Sequence, residues 1–206
     1  MELRNLIEIH LDLPRLSRDL DEIGTPARLW AVHQWTRSVQ ATLWEAVKGF
    51  RPVTLDDFVP PGIAPHVEVI HDGTNTLPAH NHFQKRFARP ADPEVKDQLI
   101  GYNHQSLSGL TGPGYYVARP AADAGEVDID YSLVPRDKPE AWPPIVPSST
   151  RLGRFVYGGL LDVMRGVSSA VSIGRARKKN VWQDAWFVLV REDPSPDAQA
   201  PLAPPS

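Results

Sequence analysis

Residues 126–134 read EVDIDYSLV, and the reading of this stretch decides the fold. Val127, Ile129, Tyr131 and Leu133 alternate with Glu126, Asp128, Asp130 and Ser132, a period of two that turns one set into a core and leaves the other in water. That pattern belongs to an antiparallel sheet with one wet face. Outward from it, further extended segments lie at 66–71 (HVEVIH, followed by the turn dipeptide Asp72-Gly73), 95–105, 114–118, 152–157, 170–177 and 185–191. Together they predict a mainly β domain, a β-barrel or strongly curved antiparallel sheet; an α+β cone or a helix-grip fold is the alternative.

One long amphipathic helix is expected before the strands, over 25–49. Thr25-Pro26 has the capping chemistry of a helix start. Leu29, Val32, Val39, Leu43, Ala46 and Val47 recur at three-, four- and seven-residue spacings down to Gly49, a stop. Trp30, Trp35 and Trp44 widen its apolar face as core anchors, and His33 stands at the boundary of that face. A short helix is expected over 160–167, where Asp162 and Arg165 would be neighbours three apart on one side. Residues 135–149 carry prolines at 135, 139, 143, 144 and 147, which rules out a hydrogen-bonded ladder and predicts an extended surface connection. Residues 1–193 read as a single domain, and 194–206 as a disordered, proline-rich tail.

Composition narrows the function classes. With 206 residues, 41% hydrophobic, the chain can bury a substantial core. A net charge of -3 offers no basic excess for a phosphate backbone, so no nucleic-acid partner is expected. There is no cysteine, which excludes disulfides, thiolate nucleophiles and cysteine-ligated metals. The charged N-terminus is unlike a secretory signal, and no apolar run reaches the length of a membrane span. A cytoplasmic protein is the expectation.

Phosphate-loop, zinc-helix, nucleophile-elbow and calcium-loop motifs do not occur. Gly112-Pro113-Gly114 reads as a hairpin turn, since Val117 stands where a third glycine would be needed. Five histidines, at 66, 71, 80, 82 and 104, fall in one window. His80-Asn81-His82 has the spacing of a metal pair on a strand, yet no acidic ligand accompanies it at a fixed distance, so no metal is expected. Tyr102-Asn103-His104-Gln105 places Tyr102 and His104 on one strand face and Asn103 and Gln105 on the other, either as an edge strand with a solvated side or as the polar lining of a cavity. In Phe83-Gln84-Lys85-Arg86-Phe87, alternation sends either Lys85 or Arg86 toward the apolar side. An inward cation needs a carboxylate or a ligand anion to offset its desolvation, and Asp128, Asp130 and Asp162 are the available partners.

The segment Phe155-Val156-Tyr157-Gly158-Gly159-Leu160-Leu161-Asp162-Val163-Met164-Arg165-Gly166-Val167, with Val171-Ser172-Ile173-Gly174 and 185–192 (AWFVLVRE), resembles the C-terminal half of the small β-barrel proteins named for a GXWXG motif. Phe83–Phe87 is similar to that family's basic aromatic segment. GXWXG itself does not occur; 43–49 reads as helix. The resemblance implies a lipocalin-like closed sheet with an N-terminal helix plugging or flanking one end. It also implies that the 160–167 segment crosses the barrel mouth, where Arg165 could grip a ligand carboxylate.

Two functions follow as expectations, neither needing a cofactor. The first is binding of a small, largely apolar molecule bearing a carbonyl or anionic group, held in a barrel pocket by Lys85, Arg86, Arg154, Arg165 and Arg175. The second is a cofactor-independent isomerase, cyclase or hydratase, with His104 as acid or base, Tyr102 as proton donor, Asp130 or Asp162 as orienting carboxylate, and Lys85 or Arg86 stabilising an enolate. A structural or protein-interaction module is the remaining reading.

Overall fold

The computed structural model describes residues 3–76, 82–92, 94, 95, 97–104, 114–145 and 159–193. Among them five helices precede eight strands: α1 (Asn5–Glu8), α2 (Leu13–Glu22), α3 (Thr25–His33), α4 (Arg37–Ala46), α5 (Leu55–Phe58), β1 (Val69–Asn75), β2 (His82–Ala88), β3 (Leu99–His104), β4 (Tyr115–Pro120), β5 (Val127–Asp130), β6 (Leu160–Gly166), β7 (Val171–Lys178) and β8 (Val181–Arg191). The strands follow chain order around a closed barrel, each antiparallel to its neighbours, with β8 returning to β1. The fold is therefore mainly β, an antiparallel barrel with N-terminal helices.

Alternation within the strands sorts side chains into an inner and an outer set. Val69, Phe83, Phe87, Leu99, Tyr116, Ala118, Val127, Ile129, Met164, Phe187 and Leu189 fill the interior. Val53, Leu55, Phe58, Val59 and Ile63 join the same cluster, so α5 and its flanks stopper one end. That end carries the 121–126 and 167–170 connections: Val53 N–H bonds the Gly125 carbonyl, and Arg191 donates to the Asp57 carbonyl. Outside, α1 to α4 pack Leu6, Leu16, Leu20, Val32, Val39, Leu43 and Trp44 onto Val163, Val171, Ile173, Trp186, Val188 and Val190. Residues 162–166 of β6, 171–174 of β7 and 186–190 of β8 are thus buried on both faces. On another side of the barrel, Trp142 from the proline-rich connection packs on Ile100, Tyr102 and Tyr115.

Three inward glycines each lie under an aromatic ring on the directly opposed residue of the next strand. Gly73 faces Phe83, Gly101 faces Tyr116, and Gly174 faces Phe187. A Cβ at Gly73 would stand 2.6 Å from the Phe83 ring, and those at Gly101 and Gly174 would be closer still to theirs. The missing side chains make room for rings that cross the interior.

Several expectations are corrected. The 25–49 helix is two helices. Thr36 adopts an extended ψ of 170°, and its side-chain oxygen accepts from Val39 N–H, so a second N-cap interrupts what spacing alone reads as continuous. The segment 160–167 is not helical but strand β6: Asp162 and Met164 face inward while Val163 and Arg165 face outward, so the two charges are not neighbours. Asp72-Gly73 is no turn, because both residues lie within β1. Strand β5 stops at Asp130, where its carboxylate accepts from Ser132 N–H at 2.8 Å and from the Ser132 hydroxyl at 2.6 Å. Helices α1 and α2 add to the expected elements; Asp12, which accepts from Arg15 N–H at 3.1 Å, and Pro14 in the first turn are ordinary start signals for the second of them. The expected strand at 152–157, Gly112-Pro113 and the tail 194–206 lie outside the described residues.

Candidate functional site

Strand β2 sets the site. Its alternation turns Phe83, Lys85 and Phe87 inward and Arg86 outward, placing an ammonium inside the barrel with 2% of the residue exposed. All three N–H directions of such a group need acceptors. Asp162, inward from β6, stands 3.1 Å from Lys85 Nζ; Asn103 Oδ1, directly opposite on β3, accepts at 3.0 Å; the hydroxyl of Tyr131, just beyond β5, is the third partner. Tyr131 donates onward to Asp162 Oδ2 at 2.9 Å, and Asn103 Nδ2 donates to the Tyr131 oxygen at 3.1 Å. Four residues from four parts of the sheet thus close one network. The rings of Phe83, Tyr116, Tyr131 and Phe187 surround Lys85 Nζ at 5.0 to 5.7 Å.

Burial governs the electrostatics. It lowers the Lys85 pKa below its ordinary value, with Asp162 pulling in the opposite direction. Burial, then the Asp162 charge, raises the Tyr131 hydroxyl well above its usual range, and burial does the same for Tyr116, so both phenols stay neutral. Lysine and aspartate sum to zero charge whether the proton rests on nitrogen or on oxygen.

His71 occupies the stoppered end. One ring nitrogen, Nε2, is 2.9 Å from the Phe58 carbonyl and donates to it, and the ring packs between Phe58 and Phe87. Burial lowers its pKa to about 3. Between about pH 6.5 and 3 the unfolded chain binds a proton here that the folded chain refuses, so stability present above pH 6.5 is lost as pH falls, by up to about 1.4 kcal/mol per pH unit. His71→Leu is expected to lower the melting temperature at pH 7 yet to flatten its decline between pH 6.5 and 4.5. Parallel pH profiles for variant and parent would remove the histidine from this account.

The other residues anticipated from sequence are dispersed. Tyr102 faces outward against Trp142, with ring centroids 4.9 Å apart, and His104 ends β3 exposed to solvent. Asp130 is outward, paired with Arg119 at 3.1 Å. Arg86 bonds Glu68 and Gln84, each at 2.8 Å, on the outer wall. Arg165 crosses to the helical layer, where it bonds Glu126 at 2.6 Å and the Trp44 carbonyl at 2.8 Å and stacks on the Trp44 ring. Arg175 donates to the Gln183 carbonyl at 2.9 Å and lies over Trp186. Arg154 lies outside the described residues, as does His80. Of the expected residues that are described, the interior brings together only Lys85 and Asp162. Asn103 and Tyr131 join the site beyond the expected set; the alternation that sends Tyr102 outward sends Asn103 inward.

Among the described residues, no group of three or more histidine, aspartate or glutamate side chains is placed to hold a metal. No described helix is long and apolar enough to cross a membrane. A separate groove of about 530 Å³ runs outside the barrel between α1, α2 and α3, lined by Leu3, Ile23, Ala27 and the exposed Trp30. Compared with protein-family models, curated proteins and solved structures, the chain matches none.

Proposed function

We propose that the barrel binds a small, largely apolar molecule whose polar end meets the Lys85, Asn103, Tyr131 and Asp162 network. The observation that carries this reading is the network itself. A buried ion pair is weak support for stability, because apolar residues of similar volume commonly serve as well or better. Four polar groups on four parts of the sheet, converging among aromatic rings inside a barrel stoppered at one end, therefore favour recognition over scaffolding. Such sites join an apolar wall to a few placed hydrogen-bonding groups, and barrels of this strand number can hold one small ligand. The architecture also agrees with the lipocalin-like arrangement that the GXWXG resemblance implies.

The test is native mass spectrometry of the purified protein, followed by a thermal-shift screen of fatty acids, fatty alcohols, methyl ketones and terpenoids. A ligand at a hundredfold excess over its Kd adds about 2.7 kcal/mol. At this chain length that corresponds to a rise of roughly 5–10 °C in Tm. The Lys85→Met/Asp162→Leu double variant should abolish the shift and Trp30→Ala should leave it intact. The reverse result would move the site to the outer groove, and no shift with any compound would remove the reading.

A further inference from the structure

The polar network specifies the charge of the ligand. We propose that the barrel accepts an uncharged oxygen, a hydroxyl or a carbonyl, at the end of an apolar chain or ring, and that Asp162 makes it reject the corresponding carboxylate. This rests on the ligand-binding reading above and narrows it to one chemical class.

The argument begins with the charges that face the interior. Among the described residues, from β1 comes His71, from β2 Lys85, from β4 Tyr116, from beyond β5 Tyr131, from β6 Asp162, from β7 Lys178, opposite Leu160 at the last residue of the strand, and from β8 Arg191. Tyr116 and Tyr131 are neutral. His71 sits at the stoppered end, bonded to the Phe58 carbonyl. Arg191 is at the same end, donating to the Asp57 carbonyl; burial lowers its pKa, and the Asp57 charge pulls in the opposite direction. Lys178 stands at the rim, at the end of β7, and among the described residues what lies beside the aromatic rings is Lys85 with Asp162, a pair whose charges cancel.

A ligand carboxylate placed there would lose its hydration and meet no net positive charge. Asp162 would repel it at short range, and the three N–H groups of Lys85 are already given to Asp162, Asn103 and Tyr131. An uncharged oxygen meets a different situation. Asn103 Nδ2 carries a second N–H beyond the one it gives Tyr131, and Asp162 has a second oxygen, Oδ1, besides the Oδ2 used by Lys85 and Tyr131. A hydroxyl can accept from the first and donate to the second; a carbonyl can accept from the first. Neither requires a buried charge to be compensated.

The experiment uses three probes of equal chain length, n-decanol, methyl octyl ketone and decanoate, titrated into the full chain by calorimetry. At pH 8 decanoate is expected to bind about a hundredfold more weakly than the alcohol, the penalty of one uncompensated buried charge. Between about pH 7 and 5 decanoate affinity should rise by up to tenfold per pH unit and level off near the alcohol's, as the neutral acid becomes the bound species, while the ketone's affinity stays flat. Asp162→Asn should tighten decanoate at pH 8 by leaving Lys85 without its counter-charge; if that variant does not fold, the pH profiles of the unaltered chain decide alone. Decanoate binding as tightly as decanol, with no pH dependence, would overturn the neutral-ligand inference and leave the binding reading standing. Failure of all three probes at every pH would overturn both.

Discussion

Lys85→Met, made with Asp162 left in place, is expected to lower the unfolding free energy by about 3–5 kcal/mol, because it strands a carboxylate inside the barrel. Methionine keeps the length of the lysine stem and fits among Phe83, Tyr116 and Phe187, so the loss measures charge rather than a cavity. Adding Asp162→Leu to the same chain should recover most of it, to within about 1–2 kcal/mol of the parent, since the pair is then removed as a unit. Urea denaturation of the parent, both single variants and the double variant closes the cycle. A loss below about 1 kcal/mol for Lys85→Met would mean that Asp162 is solvated, and the buried network would have to be abandoned.

Gly101→Ala carries the second large effect. A Cβ at this position would overlap the Tyr116 ring and would stand 2.5 Å from the Arg86 carbonyl oxygen of the neighbouring strand. A ring can sometimes tilt away; a carbonyl held in a ladder cannot without shifting β2. The cost of overpacking is usually about 1–3 kcal/mol, and obstruction by backbone places this change at about 3 kcal/mol or above. Pairing the change with Tyr116→Ala tests the mechanism: removing the ring relieves only part of the loss, because the carbonyl remains. Full recovery in the double variant would show that the ring alone fills the space.

How far the sequence reveals the site depends on which signal a residue leaves. Phe83-Gln84-Lys85-Arg86-Phe87 announces a cation turned toward an apolar face, and the desolvation argument names Asp162 among its possible partners. Alternation alone does not say which of the two cations points inward, because that depends on which face of β2 is interior. Asn103 and Tyr131 leave a weaker signal: Tyr102 and His104 beside Asn103 have stronger acid–base chemistry, and Tyr131 reads as one more core aromatic in EVDIDYSLV. For the fold, the period of two in 126–134 is enough to predict the sheet. The misreading of 160–167 has a clear cause. In LLDVMRG the buried residues fall on both faces, since Val163 packs under the helices and Met164 packs in the barrel, so strand alternation is hidden. A short apolar run of that kind does not separate helix from strand by periodicity.

Closure of the barrel through β1 and β8 imposes an order on biosynthesis. Residues 71–75 find their second neighbour in 187–191, so the first strand has one unpaired edge until the last strand has left the ribosome. Hairpin ladders such as β1 with β2 and β7 with β8 involve residues close in sequence and can form as they emerge. The seam cannot, and its long sequence separation makes it the slow, entropically costly step. During that interval the apolar faces of β1 and of the helices that cover β8 stand open to other chains. The protein is consequently most exposed to self-association in the interval after β1 to β7 have emerged and before residues 187–191 follow them.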